Sequence, residues 1–310
     1  MESVNRMAIE LVDEALDFAE ELGIGAYELD GGGVLLDFGV EFDGGIEAGL
    51  LLVEVQTAGL ATVQSRVRDV AGATLPHVDL TTDHPALALL CCQKAGWELR
   101  TDDFEGLGSG PARALVGEEE EFARVGYHDA FDLTALSVEA ESLPDEAVAE
   151  QVADRTGVEP GSVYLLAHPT ASIVGSVTSA ARAAELAVFR LFELGYDPLD
   201  VVTATASAPV PPVSADEGTA IGRATDALAY GGRVHLTLRE EPDRLDEVPS
   251  IAAEEFGRPL VEVFDEHDWE FDALPVETFG PATVTVDVLG GQTRTVGERR
   301  EDLLAASFGI

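Results

Sequence analysis

Short apolar runs of strand length alternate with helical stretches along all 310 residues, and the interval between them never repeats. That alternation excludes a helical bundle, an all-β sandwich and a solenoid, and leaves an α/β or mixed α+β class. Ser3 caps an opening amphipathic helix that Gly23 ends. "GVLLDFGV" and "GLLLVEVQ" read as strands around the glycine-rich turn "FDGGIEAG", and the Lys94 segment "ALALLCCQKAGWELR" reads as a short buried helix. The loop "GLGSGPARALVG", the acidic helix start "GEEEEFARVG" and the strand "DLTALSVEAE" follow. In "SLPDEAVAEQVADRTG", Ser142 is the expected helix cap, Pro144 lies in the first turn and Gly157 is the terminator. Further on, "GSVYLLAHPTASIVG" reads as strand then turn, and "SVTSAARAAELAVFRLFELG" as one long helix. The strand "DVVTATASAPVPPV", the helix "SADEGTAIGRATDALAYGG", the strand "RVHLTLR" and a hairpin around Gly290 and Gly291 complete the chain. The stretch 142–160 is the expected boundary between an N-terminal α/β half, 1–155, and a C-terminal α/β half, 156–310, with interleaving allowed.

With 46 % hydrophobic and 25 % charged residues the composition is globular, but the net charge of −41 is extreme. Such a charge repels itself in dilute buffer, whereas at about 1 M salt the Debye length shrinks to about 3 Å. The pattern predicts adaptation to a salt-rich cytoplasm, and it argues against nucleic acid or an anionic membrane as partner. Cys91 and Cys92, adjacent, make no disulfide framework. The N-terminus has no signal-peptide pattern, and no apolar run approaches the roughly 20 residues of a membrane span. A cytoplasmic protein is expected.

No phosphate-binding G-x-x-x-x-G-K-[ST] loop, dinucleotide G-x-G-x-x-G fingerprint, H-E-x-x-H helix or zinc-type Cys/His spacing occurs. No metal is therefore expected. His168, before Pro169, reads as a structural histidine, and the two cysteines as buried small hydrophobes. In "GSGPAR", Ser109, Gly110 and Arg113 could cradle an anion, although glycine-rich turns are usually only turns. Gly222 and Arg223 of "GRATDALAYGG" could touch a ligand, although helix geometry explains most of that pattern.

Arg182 and Glu185 lie three apart on one helical face shared with Leu186 and Phe189. One reading is a surface ion pair, worth a few tenths of a kcal/mol. The other is an acid/base: burial raises a carboxylate's pKa and a guanidinium lowers it, so such a pair can hold a carboxylate oriented and in a working range. Lys94, in "QKAGW", is the only lysine among 18 basic residues. A chain that has replaced every other lysine has kept one ammonium after a buried apolar run, where it could donate to a substrate oxygen or a water.

These motifs stand in an ordered series: "SVN", "LDFGVEFDGGIEAGL", "QKAGW", "GSGPARAL", "GYHD", "HPTASIVG", "AARAAE", "APVPPV", "GRATDALAYGG", "FGRPLVEVF", "FGPATV" and "SFGI". In that order the chain resembles the archaeal-type methenyltetrahydromethanopterin cyclohydrolase family from near its first residue to its last. The resemblance implies a two-domain cyclohydrolase-type fold with the pocket between domains, a homotrimer, and reversible hydrolysis of a methenyl-tetrahydropterin to its 5-formyl form. It implies no cofactor; the pterin carrier is the substrate. It places Lys94, Arg182 and Glu185 at the reaction centre. Candidate substrate contacts are Ser109, Gly110 and Arg113, then Thr170 and Ser172 in "HPTASIVG", then Gly222, Arg223, Asp226 and Tyr230 in "GRATDALAY". Thr225 stands where the pattern leads to asparagine and Thr178 where it leads to glutamine, which bears on the carrier more than on the chemistry. The alternatives are the same chemistry on tetrahydrofolate, action on a different pterin-bound one-carbon unit, and a pterin-binding protein without turnover.

Overall fold

The computed structural model describes residues 2–310, the side chain of Asp272 excepted. The chain forms two compact units, one running to Thr62 and resuming at Leu87–Thr178, the other made of Val63–Ala86 and Ser179–Ile310.

The first unit opens with α1 (Val4–Asp17), α2 (Ala19–Leu22), β1 (Gly25–Glu28), β2 (Val34–Asp37) and α3 (Ile46–Gln56). The Ser3 hydroxyl accepts from the Arg6 amide at 3.1 Å to cap α1, and Gly23 closes α2 in the left-handed region. After an excursion into the second unit for β3 (Thr62–Val70) and β4 (Ala73–Thr82), the chain returns as a wide π-helical segment, Ala86–Gln93. There follow β5 (Ala95–Arg100), β6 (Glu105–Ser109), α4 (Arg113–Val116), α5 (Glu120–Val125), β7 (Thr134–Glu139), α6 (Glu146–Thr156), β8 (Val163–His168) and α7 (Ile173–Ala180).

The strand order is β1-β2-β8-β7-β6-β5, with β2, β8 and β7 parallel and the remaining pairs antiparallel. Both faces of the central strands are covered, so their side chains alternate between two cores rather than between core and water. Leu36, Ala135 and Leu166 point into a core with α1, α3 and the π-helical segment. Leu35, Leu136 and Leu165 point into another with Trp97 and the Val148 and Val152 face of α6.

Three expectations fail here. "GLLLVEVQ" belongs to helix α3, not to a strand; Leu51, Leu52, Val53 and Val55 are all buried and Glu54 is the only charge in the run, so the apolar stretch shows no clear period and does not reveal its class. Helix α6 is capped by Asp145, which accepts from the amides of Ala147 at 3.0 Å and Val148 at 3.3 Å, rather than by Ser142. The boundary expected at residue 155 falls inside α6, because β8 beyond it pairs with both β2 and β7 and so keeps residues up to 178 in the first unit.

In the second unit the elements after α7 are α8 (Ala183–Glu193), β9 (Val201–Pro209), α9 (Glu217–Gly231), β10 (Arg233–Leu238), α10 (Leu260–Glu266), β11 (Thr283–Val288), β12 (Thr293–Gly297) and α11 (Glu301–Phe308). Its sheet runs β12-β11-β10-β9-β4-β3, and β11 and β12 form the hairpin expected around Gly290, whose φ is +74°. Tyr230, Leu260, Val263, Phe264, Leu304 and Phe308 pack α9, α10 and α11 together. The single long helix expected over 176–195 is instead two, α7 and α8, broken at Ala181 and Arg182. No proline or glycine marks the break, which lies where the chain passes from one unit into the other.

Candidate active site

The break before α8 gives Arg182 and Glu185 their setting. Arg182 occupies the cap position and Glu185 the first turn, where the partial positive charge of a helix N-terminus favours a carboxylate. The Arg182 Nε and Nη2 both lie 3.0 Å from Glu185 Oε2. Glu185 is only 2 % exposed, so the surface-pair reading of these residues is excluded. Both contacts fall on one oxygen, and among the described residues Oε1 has no hydrogen-bond partner. A carboxylate oriented through one oxygen with the other left over is the arrangement a general base requires.

Lys94 belongs to the first unit and follows directly on the π-helical segment. Its amide donates to the Leu89 carbonyl at 2.8 Å, an i to i+5 bond that closes the wide turn. Its ammonium lies 2.6 Å from Glu121 Oε1, both side chains being largely buried. Arg113 is placed differently from expectation. It has no exposed surface, and its Nη1 donates to the carbonyls of Lys94 at 2.7 Å and Leu90 at 3.2 Å, while Nε bonds Glu119 Oε1 at 2.9 Å. It thus binds this chain's own backbone. Gly110 belongs to the same construction: at φ +119° its amide donates to the Cys92 carbonyl at 2.8 Å, and Ser109 sits buried between Ala95 and Ser137 of the neighbouring strands. Burial pushes the Cys91 thiol up to about 12 and Cys92 well above its usual value, which leaves both as inert hydrophobes.

Thr170 and Ser172 lie just past the carboxyl end of β8, at the edge where open α/β sheets place their ligand sites. The Ser172 hydroxyl donates to the Pro169 carbonyl at 2.8 Å and accepts from the Gly175 amide at 2.9 Å, starting α7. The Thr170 hydroxyl donates to Glu139 Oε1, at the carboxyl end of β7. Asp37 ends β2 at the same edge, fully buried, and accepts from the amides of Gly39, Val40 and Glu41 at 2.7–2.9 Å. It thereby shapes the loop "FGVEFDGG". Glu139, Asp37, Glu119 and Glu121 were not singled out from sequence, where among 59 acidic residues nothing separates a structural carboxylate from a solvating one.

The four candidates on α9 are absorbed by the second unit's own packing. A side chain at Gly222 would start 2.7 Å from the Val261 Cβ. Arg223 donates to the Ser307 carbonyl at 3.0 Å and the Pro212 carbonyl at 3.1 Å, tying "SFGI" to "APVPPV". Asp226 is buried and accepts from the Leu260 amide at 2.9 Å. The Tyr230 hydroxyl donates to the Arg258 carbonyl. Thr225 and Thr178 donate to their own helices, at the carbonyls of Ile221 and Gly175.

The Arg182–Glu185 pair is thus largely buried in the second unit, and the Lys94–Glu121 pair in the first. The family model for "Cyclohydrolase (MCH)" matches residues 3–308, and this chain belongs to that family. A methenyltetrahydromethanopterin cyclohydrolase of Halobacterium salinarum is 58 % identical over 310 residues, covering the whole of both chains. Those of Methanothermobacter marburgensis and Methanosphaerula palustris are 38 % and 36 % identical, again over the full length of each. Among the described residues no helix is long and apolar enough to cross a membrane.

Proposed function

We propose that this chain catalyses the reversible hydrolysis of 5,10-methenyl-tetrahydromethanopterin to the 5-formyl form. The buried Arg182–Glu185 pair with its unengaged oxygen carries the reading, in a chain that matches its named relatives from end to end. The substrate carries a cationic amidine carbon between N5 and N10. Glu185 takes a proton from water as the water oxygen bonds to that carbon, giving a neutral hydroxyl adduct. The C–N10 bond then breaks, N10 takes the proton back from Glu185, and the adduct's own hydroxyl proton leaves to solvent as the formyl C=O forms. Water and the cation become the neutral formyl product and one proton. Arg182 holds Glu185 in the attacking geometry through Oε2, and Lys94 supplies a donor to the water or the developing carbonyl oxygen. On the same reading the enzyme is a homotrimer of the cytoplasm and needs no metal or organic cofactor.

The test is loss of the methenyl chromophore in molar potassium chloride, with tetrahydromethanopterin and tetrahydrofolate forms offered to wild type and to Glu185→Gln. The wild type should be fast on the former, and Glu185→Gln slower by about 100- to 10,000-fold, the range of general base catalysis. Preference for tetrahydrofolate would reassign the carrier. Tight carrier binding with no turnover in folded protein would overturn the enzyme reading.

A further inference from the structure

We propose that Glu121 is a positioning residue for the Lys94 ammonium, and that Glu119, acting through Arg113, fixes the backbone of the same residue; this rests on the reaction proposed above. The wide turn Ala86–Gln93 ends with carbonyls that no further helical turn can satisfy. Arg113 takes one of them, that of Leu90, on the same nitrogen that binds the carbonyl of Lys94, the next residue after the turn. A fully buried guanidinium persists only if paired, and Glu119 pairs it at 2.9 Å. The pair lies so close beneath the chain that a Cβ at Gly96 would stand 2.7 Å from Arg113 Nε and 2.9 Å from Glu119 Oε1. The glycine of "QKAGW" and the arginine of "GSGPAR" are thus two parts of one clamp.

The clamp leaves the Lys94 side chain itself to be held. A lysine stem has four carbons and much rotamer entropy, so an unsupported ammonium would not stay at one point. Glu121 supplies the support at 2.6 Å, with side-chain exposures of 18 % for Lys94 and 5 % for Glu121. Glu119 and Glu121 stand at the start of α5, and Glu120 between them is exposed. The acidic run "GEEEE" therefore sends alternate carboxylates inward. In molar salt an exposed pair loses most of its attraction, whereas a buried contact pair is screened much less.

The lone lysine gives a direct readout. Protein labelled with 13Cε-lysine has one lysine side-chain resonance; in wild type it should be shifted and broad, and Glu121→Gln should move and sharpen it. In steady-state turnover of methenyl-tetrahydromethanopterin, Glu121→Gln should lower kcat on the order of 10- to 100-fold, the scale of a misplaced group, with KM within about threefold. The loss should be equal at about 1 M and about 3 M potassium chloride, because the pair is buried. Glu121→Asp should recover part of it, and Glu120→Gln should match wild type. In a Lys94→Met background Glu121→Gln should cost nothing further. An unmoved lysine resonance, an unchanged kcat, or the same loss with and without Lys94 would overturn the proposal; melting curves exclude misfolding as the cause. A wild type that shows the ordered resonance but no turnover would sink the reaction instead.

Discussion

At the scale of single residues, burial decides which of the acidic side chains do more than solvate the chain. Asp226 is the clearest case outside the Arg182–Glu185 pair. Burial raises its pKa from 3.8 to about 6, and the Ser307 hydroxyl and Leu260 amide offset only part of that. The folded chain therefore holds this proton more tightly than the unfolded one. The resulting stability is fully present below about pH 4 and is lost as pH rises through about 6. The difference between the two values corresponds to roughly 3 kcal/mol. Asp226→Asn removes the titration, so its melting temperature relative to wild type should climb between pH 4.5 and pH 7. A difference that stays flat over that range would show that Asp226 does not titrate this way.

At the scale of elements, what could be read in advance followed local chemistry, and what could not followed context. The caps and stops Ser3, Gly23 and Gly157 act where expected, and so does the Gly290 hairpin, because each depends on a few adjacent atoms. The Arg/Glu pair was visible as an i, i+3 spacing, but its burial was not, since that is set by residues far along the chain. α3 reads as a strand in sequence because Glu54 alone interrupts the apolar run "GLLLVEVQ", which leaves no clear helical period. The acidic run of α5 reads as a plain helix start in sequence because the partners of Glu119 and Glu121, Arg113 and Lys94, approach only after folding. Glycine and serine beside Arg113 suggest an anion cradle; in the fold its guanidinium meets the Lys94 and Leu90 carbonyls and Glu119 instead. The displaced cap of α6 tests the distinction directly. Asp145→Ala should cost about 1 kcal/mol in urea unfolding, as losing an N-cap does. Ser142→Ala, at an exposed position before the helix, should leave the midpoint unchanged. Equal effects from the two would mean that the helix begins earlier.

For the whole molecule the governing quantity is the net charge of −41. Many arginines are already spent in exposed pairs with neighbouring carboxylates, such as Arg244 with Glu247, Arg258 with Glu266 and Arg300 with Asp302. Each such pair is worth little alone, and together they leave most of the acidic excess uncompensated. The excess repels itself over about 10 Å in 0.1 M salt but over only about 3 Å in 1 M. Lowering potassium chloride from about 2 M to about 0.1 M should therefore depress the melting temperature by on the order of 10 °C, equivalent to a few kcal/mol in a chain of this size. Sucrose strengthens burial by exclusion but does not screen charge, so it should restore only a minor part. The Arg182–Glu185 and Lys94–Glu121 contacts are buried and should survive dilution for as long as the fold does. Turnover per folded molecule should then stay nearly constant while the folded fraction falls. Activity that declines ahead of the far-ultraviolet signal would place the salt requirement in the active residues; a melting temperature indifferent to salt would show that this acidity is not restrained by screening.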